Sequence, residues 1–460
     1  MKYKYLYILL VGIFFSEPIL SQVTIGSGIK PNNGALLDLK QTDKQGANST
    51  KGLMLPRVKL TKMNDLSDLG VTSGDGQQQI GMVVYNVKND DVCNVYPPGF
   101  YVWDGDIWTG LNVSPIRTVK TSRHGISQPN SYMIGGAGVV EISVEKAFDV
   151  WNGTSWKDEN GSSLLSSKSL ESTSLTAEVI WMDARNVVCS ISVSHANPLK
   201  ESIISVHTGN QYGNAVVGLK SNGQLVWSWH IWVTPDIRTY HVNGHFWMDR
   251  NLGATSSTSG EIGTRGNLYQ WGRKDPFPNN QGWTNEETQL YRLNGSTAFI
   301  DKDYSGGLSN PQNNLIKSIE SPLSFIKSIG EPYFDWYSTE DSWRNRWGQD
   351  GTKSVSDPCP EGWKVPTLNG TASPWEGVVV SNPTSFDINK GWDFSGFGFY
   401  PAAASRLDMT GDIAGNGGYY WTASPGSLGL SIAMYLDRSI VLPLTSSYRG
   451  GAFSIRCVKE

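Results

Sequence analysis

Between residues 113 and 238 the chain repeats one pattern, a short apolar-rich run followed by a turn. The runs read GVVEISVE, TAEVIWMD, NVVCSISVS, ESIISVHT, NAVVGLK and QLVWSWHIWVT, separated by Gly, Asn, Asp and Ser. Successive side chains of a strand point to opposite faces, so runs this short bury an apolar face only by packing sheet on sheet. The spacing predicts an antiparallel sandwich of immunoglobulin-like type. Ser221-Asn222-Gly223 is a hairpin turn signal, which pairs NAVVGLK with LVWSWHIW.

Within the last run, LVWSWHIWVT (225–234) holds three tryptophans and a histidine. Alternation puts Leu225, Trp227, Trp229, Ile231 and Val233 on one face, and Val226, Ser228, His230, Trp232 and Thr234 on the other. The first set is uniformly apolar and is expected to be core. His230 and Trp232 sit on the mixed face, against a neighbouring domain. A sugar-stacking platform needs exposed, coplanar rings, and tryptophans split across two faces supply that poorly.

Composition extends the mainly β reading to the whole chain. There are 50 Gly, 18 Trp and 19 Tyr among 460 residues, and 17% of residues are charged. Many turns and aromatics with few helix formers favour strands. A net charge of −4 offers nucleic acid and acidic lipid no electrostatic attraction.

The chain begins MKYKYLYILLVGIFFSEPILSQ, with Lys2 and Lys4 ahead of an apolar stretch from Leu6 to Phe15 and the small Ser21 before Gln22. This reads as a secretory signal peptide, 1–21, too short to span a membrane. No cysteine nearby could take a lipid. No other uncharged run reaches the roughly 18 residues a spanning helix needs. The processed chain is therefore expected to be secreted, at the cell surface, outside the cell or in the periplasm, with no transmembrane segment.

At roughly 100–200 residues per domain, the remainder divides into a β-rich module at 22–112, the sandwich at 113–238 and a loop-rich domain at 239–460. In the first, Trp103-Asp104-Gly105-Asp106 marks a tight hairpin. In the last, the expected helix is short, over Leu323–Ile329 (LSFIKSI). The cysteines at 93, 189, 359 and 457 lie too far apart for a CxxC site. Cys359 and Cys457 are expected to staple the last domain, and Cys189, in the apolar run NVVCSISVS, to be a buried free thiol.

Several blocks of the chain carry a resemblance to known families. GALLDL, KGLMLPR, GMVVYN and FYVWDGDIW occur in order and resemble the N-terminal module of many secreted Bacteroidetes surface proteins, much like tail-fibre segments. WMDRNLGAT, LYQWGRKDPFP, DPCPEGWKVPT, GYYWTAS and SIRCVKE resemble the Fibrobacter succinogenes major paralogous domain. The sandwich ending in WSWHIWVT is similar to the module that precedes that domain in fimbrillin-like proteins. The second resemblance implies a C-type-lectin-like α+β fold related to the formylglycine-generating enzymes, which act through a close pair of cysteines. Cys457 has no such neighbour, and fold alone carries no function.

Other chemistry is weakly signalled. His241 and His245 flank Asn243-Gly244, a hairpin turn that sends the two imidazoles to opposite faces and away from a shared metal. Gly-x-Ser-x-Gly, phosphate-loop and dinucleotide motifs do not occur. Glu331, Asp335, Glu340 and Asp341 offer the carboxylates of a glycoside hydrolase without its paired geometry. Asp408, Asp412 and Asn416 are weak calcium candidates in a turn-rich stretch, and calcium is the sole cofactor considered. A ligand site is expected on DWYSTEDSWRNRWGQD, where Trp336, Tyr337, Trp343 and Trp347 would stack on a ligand with Arg344 beside them.

The expectation is a non-enzymatic adhesion or recognition protein, fimbria- or fibre-associated, that binds a glycan or a surface protein or joins its own or fimbrial subunits, with no nucleic-acid partner. The alternatives are a carbohydrate-processing enzyme or accessory, and a structural assembly subunit that binds nothing.

Overall fold

The computed structural model describes residues 23–460 except 26–27, 45–46, 63, 72–75, 88–92, 94–95, 112–116, 171–173, 281, 306–309, 329–333, 349–351, 379–385 and 387–389. The expected signal peptide and Glu331 lie outside the described residues. The chain is mainly β and forms two compact units, Met1–Val87 with Pro98–Asn112, and Lys88–Pro97 with Val113–Glu460.

In the first unit, β1 (Val23–Ile25) pairs in parallel with β2 (Leu37–Leu39). A separate sheet runs β3 (Arg57–Val58), β4 (Val83–Asn86), β5 (Gly99–Trp103), β6 (Trp108–Leu111). The expected hairpin joins β5 to β6. The Asp104 carboxylate accepts from the amides of Asp106 at 3.0 Å and Ile107 at 2.8 Å, which holds the turn and sets Trp103 opposite Trp108. Val84, Tyr101, Trp103 and Trp108 form a small core on one face of this sheet.

The second unit opens with a sandwich. Its strands are β7 (Thr118–Lys120), β8 (Ser131–Ile134), β9 (Gly138–Ser143), β10 (Leu175–Met182), β11 (Val188–Val193), β12 (Ile203–Thr208), β13 (Gly213–Ser221) and β14 (Gln224–Val233). One sheet runs β11-β12-β9-β7 and the other contains β10-β13-β14-β8. Lettered B to G from β9 to β14, these sheets read D-E-B and C-F-G, the order of a constant-type immunoglobulin sandwich. They are not wholly antiparallel, because β7 pairs in parallel with β9 and β8 in parallel with β14. A short helix, α1 (Glu145–Val150), follows β9.

Asn222 and Gly223, at φ 50° and 80°, make the expected turn between β13 and β14. Trp227, Trp229, Ile231 and Val233 then enter the core between the sheets with Val140, Ile142, Ile204 and Val217. A bulge opposite Lys220 breaks the alternation at the start of β14. Val226 joins that core, whereas Leu225 lies over Gly218, where an added Cβ would clash with it. The other face of β14 is covered by the chain beyond residue 249. Trp232 Nε1 donates to the Ala254 carbonyl at 2.9 Å, and Ser228 Oγ to Asp275 at 2.7 Å.

Beyond residue 238 the strands are short. β15 (Thr239–Val242) and β16 (His245–Met248) form the expected hairpin, with His241 opposite Phe246 and Val242 opposite His245, so the two histidines lie on opposite faces. β17 (Tyr269–Gln270) pairs with Ala452–Phe453. β18 (Leu290–Tyr291) and β19 (Thr297–Ala298) extend the sandwich sheet from β10. Thus one sheet carries residues from both sides of position 239. The final pair, Val458–Lys459, lies between β16 and β20 (Trp363–Lys364).

The helix of this region, α2, is Pro311–Glu320, whereas 323–328 is irregular. Asn310 caps it by accepting from the Asn313 amide at 3.2 Å, Pro311 fits the first turn, and Leu315 and Ile319 bury one stripe. The expected LSFIKSI helix begins directly after Pro322 and has no polar N-cap.

The Cys359–Cys457 bond is present. Cys189 is not a free thiol but is bonded to Cys93. In β11 it is only half-buried.

Candidate functional site

The loop expected to bind ligand is interior. Trp336, Tyr337, Trp343 and Trp347 are all buried, and Arg346 explains why. Its guanidinium lies 5.2 Å from the ring centre of Trp271, 5.5 Å from Trp336, 5.0 Å from Tyr337 and 5.5 Å from Trp343. Asp335 meets it with two hydrogen bonds, at 2.8 and 2.5 Å. Rings alternating with charges here build a caged ion pair, since a buried guanidinium needs a countercharge and polarisable neighbours. Trp347 packs separately, 5.9 Å from Trp271. Arg344 alone of the expected set keeps a surface position, where its Nη2 donates to the Gly426 carbonyl at 2.9 Å.

Two described acids of this loop serve as ion-pair partners. Asp335 and Asp341 both approach Arg449, at 3.5 and 2.8 Å. The calcium candidates are dispersed. Asp408 accepts from Ser328 Oγ at 2.7 Å, Asp412 from Lys302 Nζ at 2.9 Å, and Asn416 lines a cleft. Among the described residues no group of three or more His, Cys, Asp or Glu could hold a metal ion.

His230 sits in a buried chain of hydrogen bonds. The Asn214 amide nitrogen donates to Asp183 at 2.7 Å and to the Gly253 carbonyl at 2.8 Å, which turns its oxygen toward His230 Nε2 at 2.9 Å. Nε2 therefore carries the hydrogen. Ser131 Oγ lies 3.0 Å from Nδ1 and 2.6 Å from the Pro358 carbonyl, so its single hydrogen is shared between these two acceptors. Ser131, His230 and Asn214 are all buried, so the chain pins the sandwich to the segments around 253 and 358.

A surface cleft of about 540 Å³ opens beside residues 265–285. Gly266, at φ 67°, turns the chain into its wall, and a Cβ there would meet the Leu252 carbonyl at 2.6 Å. Asn251 Nδ2 holds the Arg265 carbonyl at 3.1 Å, and the Asn267 amide donates to the Leu252 carbonyl at 2.9 Å. The Arg265 side chain is thereby fixed in the wall, donating from Nη1 to the Gly282 carbonyl and stacking 4.8 Å from the ring of Trp283. Burial pushes the guanidinium down to about 10. Asn280 lines the same cleft, its amide donating to Asn279 Oδ1 at 2.9 Å. Lys390, Asn416, Arg438 and Ser439 complete the rim.

A smaller cleft of about 220 Å³ shares Arg265 and Asn280 and reaches Asp183, whose carboxyl burial pushes up to about 6. Apart from Asn416, no residue of these clefts is a candidate site residue on sequence grounds, although Gly253, Thr255 and Pro278 fall in the blocks WMDRNLGAT and LYQWGRKDPFP. Arg265 and Asn280 read there as ordinary loop polar residues.

The first unit offers a different surface. Leu36 is 75% exposed, Leu37 51%, Leu53 62% and Met54 81%. Phe100 and Leu111, directly opposed on β5 and β6, are also exposed. Isolated exposed apolar residues are ordinary, and the first unit carries several of them.

Comparison with known proteins bears on that unit. No curated protein matches the sequence. The solved structure of surface layer protein SbsC, domains 4-9, is 13% identical over 43% of this chain and 24% of its own, with a TM-score of 0.14, too low for any argument about fold. The chain thus spans about a quarter of that structure's length. Residues 24–122 match the family model described as a phage tail like trimerisation region, and the chain is similar to that region over its first unit and the strand that follows.

Proposed function

We propose that this chain is a self-associating surface or fibre protein. The segment at 24–122 joins copies of it, and the remaining body is what the assembly displays. The similarity of residues 24–122 to a trimerisation region carries this reading, with the exposed apolar residues of the first unit in support. Packing Leu36, Leu53, Met54 and Phe100 against the same residues of other copies removes them from water, at roughly 25 cal/mol per Å² of apolar area. The similarity to a trimerisation region supports three copies.

Two disulfides support an oxidising, extracytoplasmic location, in keeping with the expected signal peptide. Among the described residues no helix is long and apolar enough to cross a membrane. For the displayed body we propose a non-enzymatic role in adhesion or recognition, consistent with its resemblance to lectin-like display domains. The test is the mass of the full chain in solution by light scattering. Three chain masses support the proposal, and a monomer at micromolar concentration overturns it.

A further inference from the structure

We infer that the cleft beside Arg265 binds an acidic saccharide, through a sugar residue that carries a carboxylate. An unpaired buried charge is strongly unfavourable, and most buried arginines here comply. Arg250 pairs with Asp249 at 2.8 Å, Arg346 with Asp335, Arg406 with Glu287 at 2.6 Å and Arg449 with Asp341. Arg273 replaces a carboxylate with oxygens of Gln270, Ser324 and Pro322. Arg456 uses oxygens of Asn251 and Phe399 and the ring of Tyr400, 3.6 Å away.

Arg265 follows neither solution. It is 3% exposed, meets the single carbonyl of Gly282, pairs with no carboxylate among the described residues, and leaves Nε without a hydrogen-bond partner. Asn280, in the same wall, is also buried and leaves Oδ1 without one. An under-satisfied cationic donor and an under-satisfied neutral acceptor thus both line the same concave surface. Unpartnered Nε atoms recur at Arg273 and Arg406, so what sets Arg265 apart is a single protein acceptor, no carboxylate partner among the described residues, and a place in the wall of a cleft.

The rim selects an anion. Lys390 adds positive charge. Asp437, the acid among the described lining residues, is held by Ser439 and Ile440 at 2.7 to 2.9 Å and by the Tyr435 hydroxyl at 2.8 Å, which fixes the orientation of its charge without removing it. Two features favour a sugar over a peptide carboxylate. Asn280, Asn416, Ser439 and Thr284 are suited to hydroxyl groups, and the half-buried Trp283 offers an indole to the C–H face of a pyranose ring. The volume lies within the range of small-ligand sites.

The test titrates the full chain with trigalacturonic acid and with its methyl ester, which keeps the shape and removes the charge, and probes an array of uronic- and sialic-acid oligosaccharides. An acid should bind at least about tenfold tighter than its neutral counterpart, with affinity falling as salt rises. Arg265→Met should lose about tenfold or more while the melting temperature stays level or rises, because an under-paired buried charge is removed. Trp283→Ala should also weaken binding, and Arg344→Ala, at a separate surface, should not. The inference is overturned by a silent acidic array, by equal binding of acid and ester, by unchanged binding in both Arg265→Met and Trp283→Ala, or by selective capture of peptide carboxylates instead. Light scattering of the same samples reports assembly separately, so failure here leaves the oligomer proposal standing.

Discussion

Asp335 and Arg346 face each other through two hydrogen bonds inside a cage formed by Trp271, Trp336, Tyr337 and Trp343. Neither partner is accessible to solvent. Breaking such a pair leaves a naked charge, so Asp335→Ala should lower unfolding free energy by about 3–5 kcal/mol. Replacing both, as Asp335→Leu with Arg346→Met, should recover most of the loss. Urea titration measures it, and a single-variant loss under about 1 kcal/mol would show that the cage does not hold this region together.

The two disulfides close loops of similar size, with sequence separations of 98 and 96. Chain entropy alone gives about 4.7 kcal/mol for a loop near 100 residues, and removal of a native bond typically costs about 2–5. Cys359→Ser with Cys457→Ser should therefore lower the melting temperature clearly, as should the Cys93 and Cys189 pair of changes. Differential scanning calorimetry under oxidising and reducing conditions checks both.

His230 should make the fold sensitive to mild acid. Burial pushes its ring down to about 3 in the folded chain, against 6.5 for an ordinary histidine. Below 6.5 the unfolded chain takes up a proton that the folded chain refuses, so stability is full above that pH and falls as pH drops toward 3. The slope is at most roughly 1.4 kcal/mol per pH unit. His207 and His245 shift in the same direction, so the difference between the parent and His230→Gln isolates this ring. Parallel stability–pH curves for the two proteins would contradict the assignment.

Association should depend on the exposed apolar residues of the first unit. Leu53→Lys with Met54→Lys places charges where two of the most exposed of these side chains stand. The folded monomer should tolerate them, because neither residue is buried. Sedimentation velocity should show a shift from trimer toward monomer, with unchanged circular dichroism. A trimer that survives both changes would move the interface elsewhere.

The β14 strand shows how far local pattern reaches. The alternation of Trp227, Trp229, Ile231 and Val233 predicts their shared core, and Asn222-Gly223 predicts the turn before it. The bulge at Val226 escapes that reasoning because it depends on pairing with Lys220 across the hairpin. The helix was misplaced for a related reason. LSFIKSI has the apolar content of a helix, but Asn310 and Pro311 supply the actual start signal one segment earlier.

Strand positions, turns, strand faces and the mainly β class follow from period-two alternation and from glycine and asparagine at tight turns, all interactions between residues close in the chain. Which charged residues are interior does not. Arg344, Arg346 and Arg265 all occupy loops and look alike in one dimension, yet the first reaches the surface, the second is caged and the third lines a cleft. Their fates depend on burial and countercharge, and those are supplied by residues far away in sequence that only the folded chain brings within reach.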